Sequence, residues 1–410
     1  MAVIRPFKAV RPSEKVAHLV ASVPYDVVNR EEAAELAKGN PLSFLRVTRA
    51  EIEMKEKIDV YSPDVYQKAR ENFERLKQEA PLVQDATPHF YIYKLTMGNH
   101  SQAGIAATFS VEDYNKDIIK KHEKTRKVKE DDRTNHIVTT GAQTGPVFLT
   151  YKGVPEIDKI VNETMRKTAP VYNFTSPDGI THTVWLLPDD YTSIVVSEID
   201  KVNHLYIADG HHRAASASRT QKVKQEQNTN HTGEEEYNYF LAVLFSAEQL
   251  KILPYNRVVH DLKMEKNEFI EKVKKNFLVE VTNSAKPPSK KTITMYLNKN
   301  WYLLKPNDKV KLEEMVCDNL DVSILQNYLL HPILGIEDPR TDTNIDFIGG
   351  IRGTEELEKL VDSGKASVAF SMYPVTVDDL MNISDAGEIM PPKSTWFEPK
   401  LRDGLLVHMI

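Results

Sequence analysis

At 410 residues, with 41% hydrophobic and 27% charged side chains, the chain can bury a large core and has the balance of a folded protein of two or three lobes. A formal net charge of −6 argues against an extended nucleic-acid footprint, which needs a basic surplus. The single cysteine, Cys317, excludes an internal disulfide framework and any cysteine-rich metal site.

Met1-Ala-Val-Ile-Arg-Pro6 lacks the apolar core of a signal peptide, and no apolar run approaches the roughly 18 residues of a membrane span; a cytoplasmic protein is expected. Residues 1–88 read as mostly helical after a short extended start. Asn29 is a suitable N-cap for a helix over Arg30–Lys38, closed by Gly39-Asn40-Pro41. Ser43–Val47 reads as a short strand, in which Ser43 and Arg46 are candidates for a substrate pocket. Ser62-Pro63 opens a second helix with Val65, Ala69, Phe73 and Leu76 near helical spacing.

The segment 89–260 changes character and is expected to be a core of strands and helices. His89–Leu95 and Gly104–Val111 suggest paired strands across Gly98-Asn99-His100, and further strands are expected at Val147–Tyr151, Thr183–Leu187, Ser193–Val196, Leu205–Ala208 and Phe240–Phe245. Lys116–Arg133 is highly charged, and Gln221–Tyr237 is polar enough to read as a solvated loop or lid. The last segment, 261–410, mixes both types again. A helix over Glu265–Asn276, a loop at Pro287-Pro288, and a hairpin pairing Thr292–Leu297 with Trp301–Lys305 come first. Leu312–Cys317 reads as a helical core face, and a helix around Leu320–Leu330 ends at His331-Pro332.

The most informative stretch is Leu205-Tyr-Ile-Ala-Asp-Gly-His-His-Arg-Ala-Ala-Ser-Ala217. A buried strand, an acid, a glycine and a small-residue helix starting near Arg213 make a geometry that aims backbone N–H groups at an anion. His211, His212 and Arg213 add donors, and Asp209 adds a carboxylate able to hold a metal or a hydroxyl. An ordinary Asp-Gly turn capping a helix explains part of the pattern. It does not explain an acid, two imidazoles and a guanidinium within five positions.

Three other stretches carry candidate chemistry. The first is Lys120-Lys-His-Glu-Lys124, followed by Asp132-Arg133, where a solvated helix face is the competing account. The second is Pro391-Pro-Lys-Ser-Thr395, a stiffened loop whose Lys393, Ser394 and Thr395 suit a carboxylate or phosphate, or else a rigid tail anchored by Trp396 and Phe397. The third is Gly349-Gly-Ile-Arg-Gly353, which fits either close backbone approach to a ligand or a simple glycine turn; Arg257 is a candidate for phosphates or for a structural salt bridge.

With these motifs in view, the chain resembles a bacterial domain family of unknown function, family 1015, along essentially its whole length. Pro24-Tyr-Asp-Val-Val28, Asn40-Pro-Leu-Ser-Phe-Leu45, His122-Glu123, Asp209–Arg213 and Pro391–Thr395 carry the likeness. More distantly it is similar to the free serine kinases built on the ParB/sulfiredoxin-like fold, which carry a Lys-x-His-Glu element, an Asp-Gly-His-His-Arg turn and a Pro-Lys-(Ser/Thr)-Thr element in that order. The resemblance implies an α/β protein with a mixed ParB/sulfiredoxin-like sheet at 89–260, an N-terminal helical region at 1–88, and a C-terminal α/β lobe at 261–410 returning the Pro-Lys-Ser-Thr segment to the site.

Its implied chemistry is transfer of phosphate from ATP or ADP, with Mg²⁺, to free L-serine or a similar hydroxylated metabolite. Glu123 would be the general base, and Gly210, His211, His212 and Arg213 would bind the nucleotide phosphates. Asp209 would place Mg²⁺ or the nucleophile. Lys393, Ser394, Thr395, Ser43 and His122 would contact the acceptor, with Asp132 and Arg133 orienting the base. The chain departs from the small kinases in the long spacing between Glu123 and Asp209 and in having no counterpart for 1–90 and much of 261–385. The alternative is a non-catalytic, nucleotide-gated ParB-like switch that closes on DNA or a protein. Sulfiredoxin-like chemistry would need Cys317 beside the turn, and a zinc hydrolase would need a third ligand beside His211 and His212.

Overall fold

The computed structural model describes residues 2–79, 81–311 and 315–410, and it is mixed α/β as the sequence predicts. It falls into two compact units. The first runs to Leu250 and takes up Pro399–Ile410, and the second is Lys251–Glu398.

The elements that build the first unit begin with β1 (Ile4–Arg5), α1 (Arg30–Ala37) and α2 (Pro63–Glu79). There follow β2 (Tyr91–Met97), β3 (His100–Ser110), β4 (Ile119–Lys120), α3 (Lys127–Thr140), β5 (Val147–Tyr151) and α4 (Pro155–Lys167). The unit continues through β6 (Tyr172–Thr175), β7 (Thr181–Leu186), β8 (Leu205–Asp209), α5 (His211–Gln227) and β9 (Tyr239–Ser246). The strands form one sheet in the order β4-β8-β5-β9-β3-β2-β7-β6, with β1 on β3. Two pairs are parallel, β9 with β5 and β8 with β4; the rest are antiparallel.

Residue pattern accounts for this layout. Strand β9, Tyr239-Phe-Leu-Ala-Val-Leu-Phe-Ser246, is buried along its length, as an apolar run between neighbours on both edges and helices must be. Leu149, Leu205, Ile207, Phe240 and Leu244 join Ile157 and Ile160 of α4 in one core. Helix α1 begins where Asn29 predicts, with Asn29 and Glu32 in a reciprocal capping box.

Several sequence expectations are corrected. Ser43–Val47 is not a strand: Leu45–Thr48 is a short helix that buries Leu45 and Val47. Ser193–Val196 lies in a helix, Thr192–Asp200, whose buried residues are Val195 and Ile199; the i,i+4 spacing of that pair outweighs the β-branched run. Polar Gln221 onward extends α5 to Gln227 rather than opening a loop, because Gln221 is buried and donates to Asn238 Oδ1 at 3.0 Å.

The second unit holds a six-stranded antiparallel sheet. Its strands are β10 (Tyr255–Val259), β11 (Phe277–Thr282), β12 (Ile293–Leu297), β13 (Asn300–Pro306), β14 (Ile345–Gly349) and β15 (Val368–Ser371), in the order β11-β13-β12-β15-β10-β14. The β12–β13 hairpin falls where the sequence places it. Of the proposed helical face Leu312–Cys317, residues 312–314 lie outside the described residues; Cys317 opens a short 3-10 turn and is buried. Among the described residues no helix is long and apolar enough to cross a membrane.

Candidate functional site

Strand β8 ends at Asp209, Gly210 takes φ +91°, and α5 begins at His211. A left-handed residue is needed to reverse the chain so abruptly, and glycine adopts it without the clash a Cβ brings. No side chain caps α5 and its first turn carries no acid, so no side chain of the helix offsets the positive end of its dipole. Nearby, His122 and Glu123 follow β4, which pairs in parallel with β8.

The two segments meet through their imidazoles. The His122 and His211 rings pack edge to face at 4.4 Å, and the His122 N–H donates to His211 Nε2 at 3.4 Å. In a neutral ring that bond assigns the proton to Nδ1, and Nδ1 stands 4.0 Å from Glu123 Oε2. Burial keeps His211 neutral by lowering it to about 3, and burial together with His211 lowers His122 well below its ordinary range. His212 is also lowered by burial, and its Nε2 accepts from the Arg126 N–H at 3.1 Å. Glu123 keeps 37% of its side chain exposed, so a ligand from solvent can reach it.

Arg213 is the cationic centre. Its side chain is 10% exposed, with Nη2 3.6 Å from Asp26 Oδ1 and 4.0 Å from Asp209 Oδ2. Nη1 donates to the Pro146 carbonyl, whereas Nε and Nη2 have no hydrogen-bond partner among the described residues. A buried guanidinium with unused donors is costly unless an anion completes it. Asp209 carries a second cation, Lys400, whose Nζ lies 3.4 Å from Oδ2. Burial alone would raise the Asp209 carboxyl, but Lys400, Arg213 and His211 hold it at about 2. Behind Arg213 lies Asp403, which burial raises to about 7 against the pull of Arg213 and Arg133. Lys400, Asp403 and Asp26 are the site residues that sequence reasoning missed. Asp26 sits in the quoted Pro24–Val28 motif and was within reach; Lys400 and Asp403 have no local signal.

The charged segment divides by position. Glu130 and Asp131 of α3 pair with Arg219 and tie α3 to α5. Asp132 accepts from Tyr66 Oη at 3.1 Å and pairs with Arg133, whose guanidinium lies 4.0 Å over the Tyr25 ring. Ser43 is buried, its Oγ 3.3 Å from Ser22 Oγ. Arg46 is taken up by Glu53 and by the Asn40 and Ala37 carbonyls.

Lys393, Ser394 and Thr395 belong to the second unit. Lys393 has φ +56°, and its carbonyl accepts from Arg257 Nη2 at 3.1 Å. Ser394 Oγ donates to the Pro391 carbonyl at 2.7 Å. The hydrogen bonds of Arg257 go to carbonyls rather than to a carboxylate partner, and burial lowers it to about 9. The glycines of 349–353 have a packing reason: a Cβ at Gly349 would meet the Trp396 ring at 2.9 Å, and one at Gly350 would meet Pro254 at 2.7 Å. Cys317, also here, is pushed up to about 12 by burial and is a poor thiolate. Among the described residues no three His, Cys, Asp or Glu side chains are grouped to hold a metal.

The model of a protein family of unknown function, DUF1015, matches residues 4–323. The chain belongs to that family. No curated protein matches it. Solved structures similar to it include a conserved hypothetical protein from Pyrococcus furiosus, 13% identical with a TM-score of 0.36, covering 74% of this chain and 95% of that one. A free serine kinase in complex with AMP is 13% identical with a TM-score of 0.37, covering 73% and 92%. SbnI with a C-terminal truncation, from Staphylococcus aureus, is 12% identical with a TM-score of 0.40, covering 74% and 87%. Overlaps this loose carry no chemistry to this family member.

Proposed function

We propose that this protein is a small-molecule kinase that moves a phosphoryl group from ATP or ADP to the hydroxyl of free L-serine or a similar metabolite. The observation that carries the reading is Arg213: a nine-tenths-buried guanidinium whose Nε and Nη2 make no hydrogen bond among the described residues, in the first turn of a helix with no side-chain cap. Both features favour a phosphate. The order of the Lys-x-His-Glu, Asp-Gly-His-His-Arg and Pro-Lys-Ser-Thr elements supports the same reading independently.

In the reaction the acceptor oxygen attacks the terminal phosphorus. A new P–O bond forms, the bridging P–O bond breaks, and its electron pair leaves with the nucleotide. Glu123 takes the hydroxyl proton, with His211 Nδ1 4.0 Å from that carboxylate. Gly210, His211, His212 and Arg213 hold the phosphates. By the resemblance, His122 and Ser43 would contact the acceptor. Mg²⁺ is bound in many such enzymes by one or two carboxylates plus phosphate oxygens and water. Asp209, ionised and half-buried, fits as its protein ligand, and the ion would neutralise phosphate charge.

The test is phosphoryl transfer by the full chain with Mg²⁺ and ATP or ADP against L-serine and a panel of hydroxy metabolites, read by mass spectrometry. A phosphorylated product is expected, with Glu123→Gln slower by about 10²–10⁴-fold at unchanged nucleotide affinity. Nucleotide binding without product from any acceptor would replace this reading with the nucleotide-gated switch. Full activity in Glu123→Gln would remove Glu123 as base.

A further inference from the structure

Histidine ordinarily supplies charge changes near neutral pH, and three histidines crowd this turn. Burial lowers His211, His212 and His122 below their ordinary range. The acid behind them is placed differently. Asp403 is 2% exposed, and its main chain is fixed by reciprocal hydrogen bonds with Ser22, at 2.9 and 3.1 Å. Gly145 stands so close that a Cβ there would lie 2.1 Å from Asp403 Oδ1. That oxygen has no hydrogen-bond partner among the described residues.

Asp403 and Arg213 share the lining of one cavity of about 30 Å³ with Tyr25, Arg133 and His136. Arg213 from α5 and Arg133 from α3 favour the ionised carboxyl, as does the Tyr25 main chain; Asp26 and burial oppose it, and burial prevails, giving about 7. His136 is held near 3 by burial and stays neutral. Asp403 thus lies near neutrality, beside a guanidinium whose Nε and Nη2 make no hydrogen bond among the described residues.

We propose that Asp403 is a positioning residue that gates anion affinity at Arg213. With the carboxyl protonated, the guanidinium is available to a phosphoryl or sulfuryl group; with it ionised, carboxylate and ligand compete for the same cation. This rests on the reading of the turn as a phosphate site and adds its regulation. Because the coupling is reciprocal, anion binding near pH 7 draws a proton onto Asp403.

Sulfate is the suitable probe, since its charge is constant from pH 6 to 8 whereas a nucleotide phosphate titrates there. Calorimetry of the full chain should show sulfate affinity falling about fivefold or more across that range, and a flat profile in Asp403→Asn. Wild type alone, titrated at pH 7 in two buffers of different ionisation heat, should show proton uptake on binding. That second measurement decides the matter if Asp403→Asn does not fold. Sulfate binding with the same pH dependence in both proteins, or without proton uptake, would overturn the role of Asp403 and leave the anion site standing. Failure of folded wild type to bind either sulfate or ADP at any pH would overturn both.

Discussion

Two aspartates beside one guanidinium end in opposite states, one from the middle of the chain and one from its C-terminal segment. Asp209 closes β8 with 30% of its side chain exposed, and it has Lys400 at 3.4 Å in addition to Arg213 at 4.0 Å. Asp403 is buried, and its Oδ1 has no hydrogen-bond partner among the described residues. One is held at about 2 and the other is raised to about 7. A neighbouring guanidinium therefore does not by itself decide ionisation. Burial pushes both acids upward, and a second cation at close range reverses it at Asp209.

The strongest way to break the comparison is to remove what the two acids share. Arg213→Met would leave Asp26, Asp209 and Asp403 around an uncharged side chain, and losing one member of a buried charge cluster costs about 3–5 kcal/mol. Urea denaturation at pH 7 should show a loss of that order together with loss of sulfate binding. An unchanged midpoint would mean that the guanidinium does not hold the cluster together.

A change at Asp403 separates the two acids. The folded value, about 7, lies above the ordinary 3.8, so between those values the folded chain keeps a proton that the unfolded chain has shed. The contribution is complete below pH 3.8 and is lost as pH rises through 7. Asp209 runs the other way: held at about 2, it stabilises above pH 3.8 and loses that contribution as pH falls toward 2. Asp403→Asn should therefore gain on wild type as pH rises from 4 to 8, by on the order of 4 kcal/mol. Melting curves of both proteins at three pH values measure this, and a constant difference would refute it.

Only one of these two regions was legible in the sequence. Strand, Asp-Gly, and a helix of small residues are local signals, so the turn at 205–213 could be placed from neighbours alone. Lys400 and Asp403 act on mid-chain residues through the return of Pro399–Ile410 into the first unit, and no local pattern encodes that return. Local reading also erred where tertiary burial sets the period. Ile194, Val195 and Val196 favour a strand by type, yet Val195 and Ile199 are the pair that is buried. The glycines at 349 and 350 suited a ligand loop, until Trp396 and Pro254 supplied a reason in packing.

The smallest effect expected is at the glycine between the turn's acid and its helix. Gly210 has φ +91°, and an added Cβ would meet Val147 Cα at 3.4 Å, so space is adequate and conformation is the obstacle. Gly210→Ala should cost about 1–2 kcal/mol in stability from the left-handed backbone. It should also weaken sulfate binding more than that loss of stability explains, since relaxing φ would tilt the first N–H groups of α5 away from the anion. If Gly210→Ala melts lower but binds sulfate as wild type does, the helix terminus contributes nothing to anion affinity. Arg213 would then carry that affinity alone, and the case for Asp403 as its modulator would become sharper.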